Sequence, residues 1–259
     1  MSEGSIRRRG YQQLRRLVLG GYYRLVRANY AREAIAPQKR TAAGTIRSYE
    51  LYNRHGNDEM LAELDSRCGP DDVIYDIGAN VGTYSLALLA AEPNRHVVAF
   101  EPAPSAAEHL LSNAELNGLE DRLEFSPVGL GEERGSEPFY VSTYTELSGF
   151  DRESAERWEA SVAEVLQVPV ERLDAMVEAG PAPDVLKIDV EGTAPAVLKG
   201  GRSTLETQHP LVFLECHEEG IEGNAPAECR EILADHGYTI DERETYWVCE
   251  PPHRKSRSS

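Results

Sequence analysis

The sequence predicts an α/β fold: an open, mostly parallel sheet with helices on both faces, preceded by a helical extension. Three observations carry this. From residue 72 onward, short apolar strands alternate with helical segments, the pattern of parallel strands joined by crossovers. The first of these strands, Val73-Ile-Tyr-Asp76, runs straight into a glycine-bearing turn and a helix. Hydrophobic residues form 41% of the 259, which suits one domain of ordinary size plus an extension.

In chain order, residues 5–34 read as a helix. Tyr11, Leu14, Val18, Tyr22, Leu25 and Val26 fall near one face, with Arg15, Arg16, Arg24 and Arg27 interspersed. Gly20 and Gly21 each weaken it by about 1 kcal/mol relative to alanine. Residues 1–43 are therefore a basic helical extension, ending in a linker from Pro37 to Gly44. A domain over residues 44–253 follows. It opens with a short strand at Thr45 to Leu51 and a helix at Asp58 to Arg67. Strands at Val73 to Asp76, His96 to Phe100 and Leu123 to Val128 then alternate with helices at Thr83 to Ala91 and Ser105 to Asn117. Phe139-Tyr-Val141 reads as an added strand. Residues 142–167 read as an insertion, helical from Ser154 to Leu166. Val168-Pro-Val170 leads to a short helix at Arg172 to Glu178. Strands at Val185 to Asp189 and Leu211 to Glu215 precede helices at Ala196 to Glu206 and Ala227 to His236. A hairpin, Tyr238 to Ile240 with Tyr246 to Val248, closes the sheet. The tail, residues 254–259, reads as disordered.

Charge and cysteine content restrict the function. Residues 1–40 carry ten Lys/Arg against two Glu, a net of +8; the remainder carries 17 basic against 42 acidic side chains, a net of −25. Such a body repels nucleic acid. With only four Lys in the chain, the excess of acid points to a protein of a salt-rich interior, where screening makes self-repulsion tolerable. The basic helix has two available fates: an anionic membrane surface, or the acidic body itself. The broken apolar face favours the body. No apolar run approaches the roughly 18 residues that span a bilayer, and no signal peptide is apparent. Cys68, Cys216, Cys229 and Cys249 show no CxxC spacing, so no zinc site or disulfide framework is expected, and a reducing cytoplasm fits best.

Two motifs point to a ligand. In Asp76-Ile-Gly-Ala-Asn-Val-Gly82 a strand end meets a turn whose Gly78 and Gly82 permit conformations and close approaches that other residues resist. The helix that follows offers free N–H groups to an anion. A dinucleotide site wants GxGxxG; the spacing here is GxxxG, with an acid two residues earlier. That acid would repel a pyrophosphate and suit an ammonium. Glu101 ends the next strand, where a carboxylate can accept both hydroxyls of a ribose.

Two further motifs point to chemistry. In Asp184-Val-Leu-Lys-Ile-Asp-Val-Glu-Gly192, Lys187, Asp189 and Glu191 alternate with apolar residues at the end of an inner strand. Charge there is costly to bury unless paired or used. Asp189 and Glu191 are candidates for the reaction centre, the bland alternative being an ion pair of Lys187 with Asp189 or Glu191. Thr193 is a candidate helix cap. Glu215 and His217 end another strand at the same edge, and His217 is a candidate general base. These acids and His217 could also ligate a hard cation, but no tight ligand spacing supports it and no metal is expected.

Taken in order, VIYDIGANVGTYS, VVAFEPAPS, Pro127-Val-Gly-Leu-Gly-Glu-Glu-Arg-Gly135, VERLDAM and VLKIDVEG…VLKGG resemble the FkbM-type methyltransferases, from about Asp72 to Glu215. The resemblance implies a class I methyltransferase (Rossmann-like) fold with a seven-stranded sheet whose last strand is antiparallel. It implies S-adenosyl-L-methionine as cofactor and O-methylation of a sugar, glycan or small metabolite. By position, Asp76, Gly78, Asn80 and Gly82 would hold the methionine portion, Glu101 the ribose and Val128 or a backbone N–H the adenine, with Asp189 and Glu191 facing the reaction centre. The chain departs from the family in reading Thr193-Ala194-Pro195 where a glutamate is usual, and Ser126-Pro-Val128 where many class I enzymes carry an acid. The insertion at 142–167 would cover the acceptor with help from the N-terminal helix; Tyr140, Tyr144, Phe150 and Trp158 are candidates to line it, Trp158 being equally suited to the core. The rival readings are a nicotinamide-dependent oxidoreductase, against which the glycine spacing speaks, and a non-catalytic S-adenosylmethionine-binding protein of the same fold.

Overall fold

Parallel strands buried on both faces form the centre of the molecule. The computed structural model describes residues 3–157, 160–190, 192–215 and 225–253, with side chains from residue 18 onward. The elements are α1 (Glu3–Arg32), β1 (Gln38–Arg40), β2 (Thr45–Arg47), α2 (Glu59–Arg67), β3 (Val73–Ile77), α3 (Thr83–Ala91), β4 (His96–Phe100), α4 (Pro104–Asn117), β5 (Leu123–Ser126), β6 (Gly129–Gly131), β7 (Gly135–Ser142), α5 (Arg152–Ala155), β8 (Val162–Arg172), α6 (Leu173–Ala179), β9 (Val185–Ile188), α7 (Ala194–Gly200), α8 (Arg202–Thr207), β10 (Leu211–Glu215), α9 (Ala225–Asp235), β11 (Thr239–Glu242) and β12 (Tyr246–Glu250). The main sheet has seven strands in the order β11-β12-β10-β9-β3-β4-β5. The last strand, β12, is antiparallel to β10 and β11, while β10, β9, β3, β4 and β5 pair in parallel. This is the sheet that the resemblance implies.

Side-chain alternation along the inner strands feeds two cores. Ile74, Val97, Ala99, Val185 and Phe213 pack with Leu61 and Leu64 of α2, Leu86 of α3 and Leu110 of α4. Tyr75, Ile77, Val98, Phe100, Leu186, Ile188, Val212 and Leu214 pack with Leu173, Val197, Leu198, Leu205 and Leu233 on the other face. Helices cover both faces, which is why these strands read as near-continuous apolar runs. Asp76 and Lys187 are register partners on neighbouring strands, so their side chains share one face.

Three local expectations are corrected. The segment read as a linker contains β1, paired antiparallel to β2 through Lys39↔Ile46. The helix expected from Ser154 to Leu166 is short: α5 ends at Ala155, and Val162–Arg172 is a strand between β6 and β7. Ala, Glu and Leu in that stretch favour a helix locally. Pairing with β7 overrides them, and turns Val168 and Val170 inward, Val168 beside Phe139. Finally, α1 buries Tyr23, Val26, Asn29 and Tyr30, whereas Val18 and Leu25 are exposed. Tyr23 stacks on Tyr144, and Asn29 donates from Nδ2 to the carbonyls of Ile35 and Tyr49. No helix among the described residues is long and apolar enough to cross a membrane.

Candidate active site

Register places the site. Ile77 pairs with Phe100 and with Ile188, and Ile188 pairs with Leu214. The next residues, Gly78, Glu101, Asp189 and Glu215, therefore stand in a row at the carboxyl edge, where open α/β sheets bind ligands. A cavity of about 300 Å³ opens there, lined by Gly78, Asn80, Glu101, Val128, Asp189 and Glu215 among others.

The turn after β3 is shaped by backbone conformation. Gly78 has φ +81°, and a Cβ on it would lie 1.9 Å from the Asp189 carbonyl oxygen. Only glycine tolerates both the angle and the approach. The Gly78 and Ala79 N–H groups donate to the Phe100 carbonyl, each at 3.0 Å. Asn80 also has positive φ, +49°. Its Oδ1 is buried in the cavity wall with no hydrogen-bond partner among the described residues. Gly82 does not line the cavity: a Cβ there would meet Leu110 at 2.8 Å, so this glycine admits α4 against the start of α3.

Glu101 is buried in the wall. Its Oε2 accepts the Asn80 N–H at 2.9 Å, and its Oε1 accepts the Ala103 N–H at 2.8 Å. Each oxygen retains a lone pair. Burial pushes its pKa up to about 7, against the pull of those two N–H donors and of Lys187.

Asp76 is a correction. It is fully buried and is not part of the cavity lining. Ser85 donates to its Oδ2 at 2.6 Å, and Lys187 Nζ lies 2.9 Å from its Oδ1. Its carboxylate thus holds a lysine rather than facing a ligand. Lys187 also lies 3.5 Å from Asp189 Oδ2, donates to the Gly78 carbonyl at 3.1 Å and sits 5.0 Å from the centre of the Tyr84 ring. Burial alone would lower its pKa; Asp76, Asp189 and Glu215 more than offset this and raise it. The ion pair expected of Lys187 is present, with Asp76 as its closer partner. Glu191, His217 and Trp158 lie outside the described residues. Thr193 lines the cavity and occupies the cap position of α7, but its side chain makes no capping bond. Phe150 lines the cavity, whereas Tyr144 is spent on Tyr23.

A second wall was not anticipated. His55, Asp58 and Tyr84 border the cavity, as do Lys39, Arg54 and Glu146 farther along. Asp58 caps α2, its Oδ1 accepting the Leu61 N–H at 2.9 Å and the Tyr84 hydroxyl at 2.8 Å. Its Oδ2 lies 2.7 Å from His55 Nδ1. Tyr84 stands within the glycine motif, and Asp58 carries a helix-start signal. Nothing local places His55 beside them.

Residues 76–240, more than half of the chain, match the Methyltransferase FkbM domain. The chain belongs to the FkbM methyltransferase family. It is accordingly a methyltransferase. It is 28% identical over 198 residues to the hexuronic acid methyltransferase AglP of Haloferax volcanii, covering 74% of this chain and 75% of that protein. It is 30% identical to the 31-O-demethyl-FK506 methyltransferase FkbM of Streptomyces tacrolimicus, over 73% of this chain and 81% of that protein. The 2-O-methyltransferase NoeI of Sinorhizobium fredii is also 30% identical, over 61% and 68% respectively. The crystal structure of methyltransferase FkbM from Methylobacillus flagellatus superposes with a TM-score of 0.50 at 17% identity, covering 71% of this chain and 44% of that one. That likeness shows the fold.

Proposed function

We propose that this methyltransferase moves a methyl group from S-adenosyl-L-methionine to a hydroxyl oxygen of a sugar, glycan or small metabolite. The observation that carries the reading is the pairing of Glu101 with Asn80 across the turn. Glu101 keeps two lone pairs for two ribose hydroxyls, and Asn80 offers an unused buried acceptor that suits the methionine ammonium. Val128 supplies an apolar surface for the adenine. Asp76 contributes indirectly by fixing Lys187 beneath the Gly78 turn. When bound, the cofactor supplies an electrophilic methyl on a sulfonium, already a good leaving group.

Positioning therefore supplies much of the catalysis. Residues of the Asp189 side must hold the acceptor oxygen about 3–3.5 Å from the methyl carbon and keep water out. Oxygen as the nucleophile is supported by the relatives named for 31-O and 2-O positions, and a sugar acceptor by the one named for a hexuronic acid. The negative body supports an acceptor other than nucleic acid.

Isothermal titration with S-adenosylhomocysteine tests the cofactor half. Binding is expected, with Glu101→Ala weakening it tenfold or more and NAD giving no heat. Absence of binding, or a Glu101→Ala variant that binds as well as the parent, would overturn it. Transfer of radiolabelled methyl to a panel of uronic acid and neutral glycosides tests the acceptor half.

A further inference from the structure

We propose that His55 is the general base that takes the acceptor's hydroxyl proton, and that Asp58 positions it. This rests on the methyl-transfer reading above. Neither residue belongs to the strand-end motifs, and the geometry assigns both to the cavity wall.

The proton's location follows from Asp58. Burial would raise its pKa, but hydrogen bonds from His55, Leu61 and Tyr84 outweigh burial and hold it below the usual carboxylate range, so it carries no proton. Its Oδ1 accepts from the Leu61 N–H and the Tyr84 hydroxyl. Its Oδ2 faces His55 Nδ1 at 2.7 Å, and an acceptor there requires a donor. Neutral His55 therefore carries its hydrogen on Nδ1 and presents a lone pair at Nε2. The side chain is 32% exposed, on the cavity, and no group among the described residues is hydrogen-bonded to Nε2. The Tyr84 ring meets the imidazole edge-on at 5.6 Å, which sets its plane.

Contacts also set its side of the cavity. Tyr84 lies under the Lys187 ammonium, which in turn pairs with Asp189. The acids that act on the Tyr84 hydroxyl are Asp58, Glu215 and Asp189, none of them at the ribose end marked by Glu101. The charged groups that share this part of the cavity with the imidazole include Asp58, Arg54 with its partner Glu146, Lys39 and Glu50, and, beyond Tyr84, Lys187, Asp189 and Glu215.

In the reaction, the acceptor O–H proton passes to Nε2 while an oxygen lone pair forms the bond to the methyl carbon. The carbon–sulfur bond breaks with its electron pair going to sulfur. The resulting imidazolium, paired with the Asp58 carboxylate, then returns the proton to solvent.

Three measurements test this. First, S-adenosylhomocysteine is titrated into the parent and His55→Gln. Equal affinity within about twofold is expected; no binding to the parent sinks the methyl-transfer reading itself, while a large loss confined to His55→Gln makes His55 a cofactor contact and overturns the base assignment. Second, ¹⁵N NMR of the histidine side chains reads the tautomer, with and without S-adenosylhomocysteine. Hydrogen on Nδ1 of His55 is expected, reverting toward Nε2 in Asp58→Ala, whose folding is verified by circular dichroism. Hydrogen on Nε2 in the parent overturns the proposal whether or not an acceptor has been found. Third, on the first glycoside turned over, His55→Gln should lower kcat about 100-fold, within the range of general-base catalysis, with the cofactor KM unchanged. An undiminished kcat overturns it.

Discussion

Glu101 faces two opposing demands: burial favours its proton, while accepting two ribose hydroxyls requires its charge. Its folded pKa, raised to about 7 by burial, exceeds the ordinary 4.5. Between those values the folded protein binds more protons than the unfolded chain, so stability from this group falls as pH rises and the penalty is complete above about pH 7. Ribose donors would pull the pKa back down. Cofactor binding should then release a proton near neutrality, and S-adenosylhomocysteine affinity should rise about tenfold from pH 5.5 to 7.5. Titrations in buffers of different ionisation enthalpy measure both quantities; Glu101→Gln should flatten the pH dependence, and a parent curve already flat would contradict the ribose role. Lys187 makes the second prediction at this scale. Removing it leaves the Asp76 carboxyl buried and deprived of its cationic partner. Lys187→Met should cost about 3–5 kcal/mol in urea denaturation, with Asp76→Asn restoring part of the loss in the double variant. A cost below about 1 kcal/mol would show that the pair is not what holds the turn.

Among the elements, those whose signals are local were legible and those defined by long-range pairing were not. The turn from Asp76 to Gly82 and the end of β4 at Glu101 each follow from adjacent residues, so the row of strand ends could be anticipated. The Asp76–Lys187 pair could not, because β3 and β9 are neighbours in the sheet but distant in the chain. The same holds for β8, whose helix-forming residues are overruled by β7, and for His55, which meets Tyr84 only once α2 docks on α3. The helix α1 is a mixed case: its existence was legible, and Val26 and Tyr22 do pack, but Val18 and Leu25 are exposed and the buried Tyr23, Asn29 and Tyr30 were not anticipated. The buried face matters because Tyr23 reaches the cavity wall, stacks on Tyr144 at 5.2 Å and donates its hydroxyl to Glu146. Glu146 also pairs with Arg54 at 2.6 Å, so one tyrosine ties α1 to two loops that border the site. Tyr23→Ala should cost about 3–5 kcal/mol of stability, as large aromatic truncations in packed sites do. Thermal unfolding measures it, and a loss under about 1 kcal/mol would mean that α1 is not fastened there.

At the scale of the whole molecule, 44 acidic side chains face 27 basic ones, and the −17 balance makes folding work against self-repulsion. Salt acts on this in two directions. It weakens surface pairs such as Arg230–Glu242 and Arg152–Glu156, but exposed pairs of this kind contribute only about 0–1 kcal/mol each. It also screens every carboxylate–carboxylate repulsion in the body, where unmatched acids are in excess. The second effect should win, so the melting temperature should rise with KCl. The shape of the rise identifies its cause. The Debye length falls from about 30 Å at 0.01 M to about 3 Å at 1 M, so screening is nearly complete by 1 M and the gain should level off there. A gain that keeps growing in proportion to salt beyond 1 M would instead indicate exclusion of the salt from the protein surface. A melting temperature that stays constant or falls between 0.01 and 1 M KCl would show that paired charges, not the acidic excess, dominate the electrostatics of this fold.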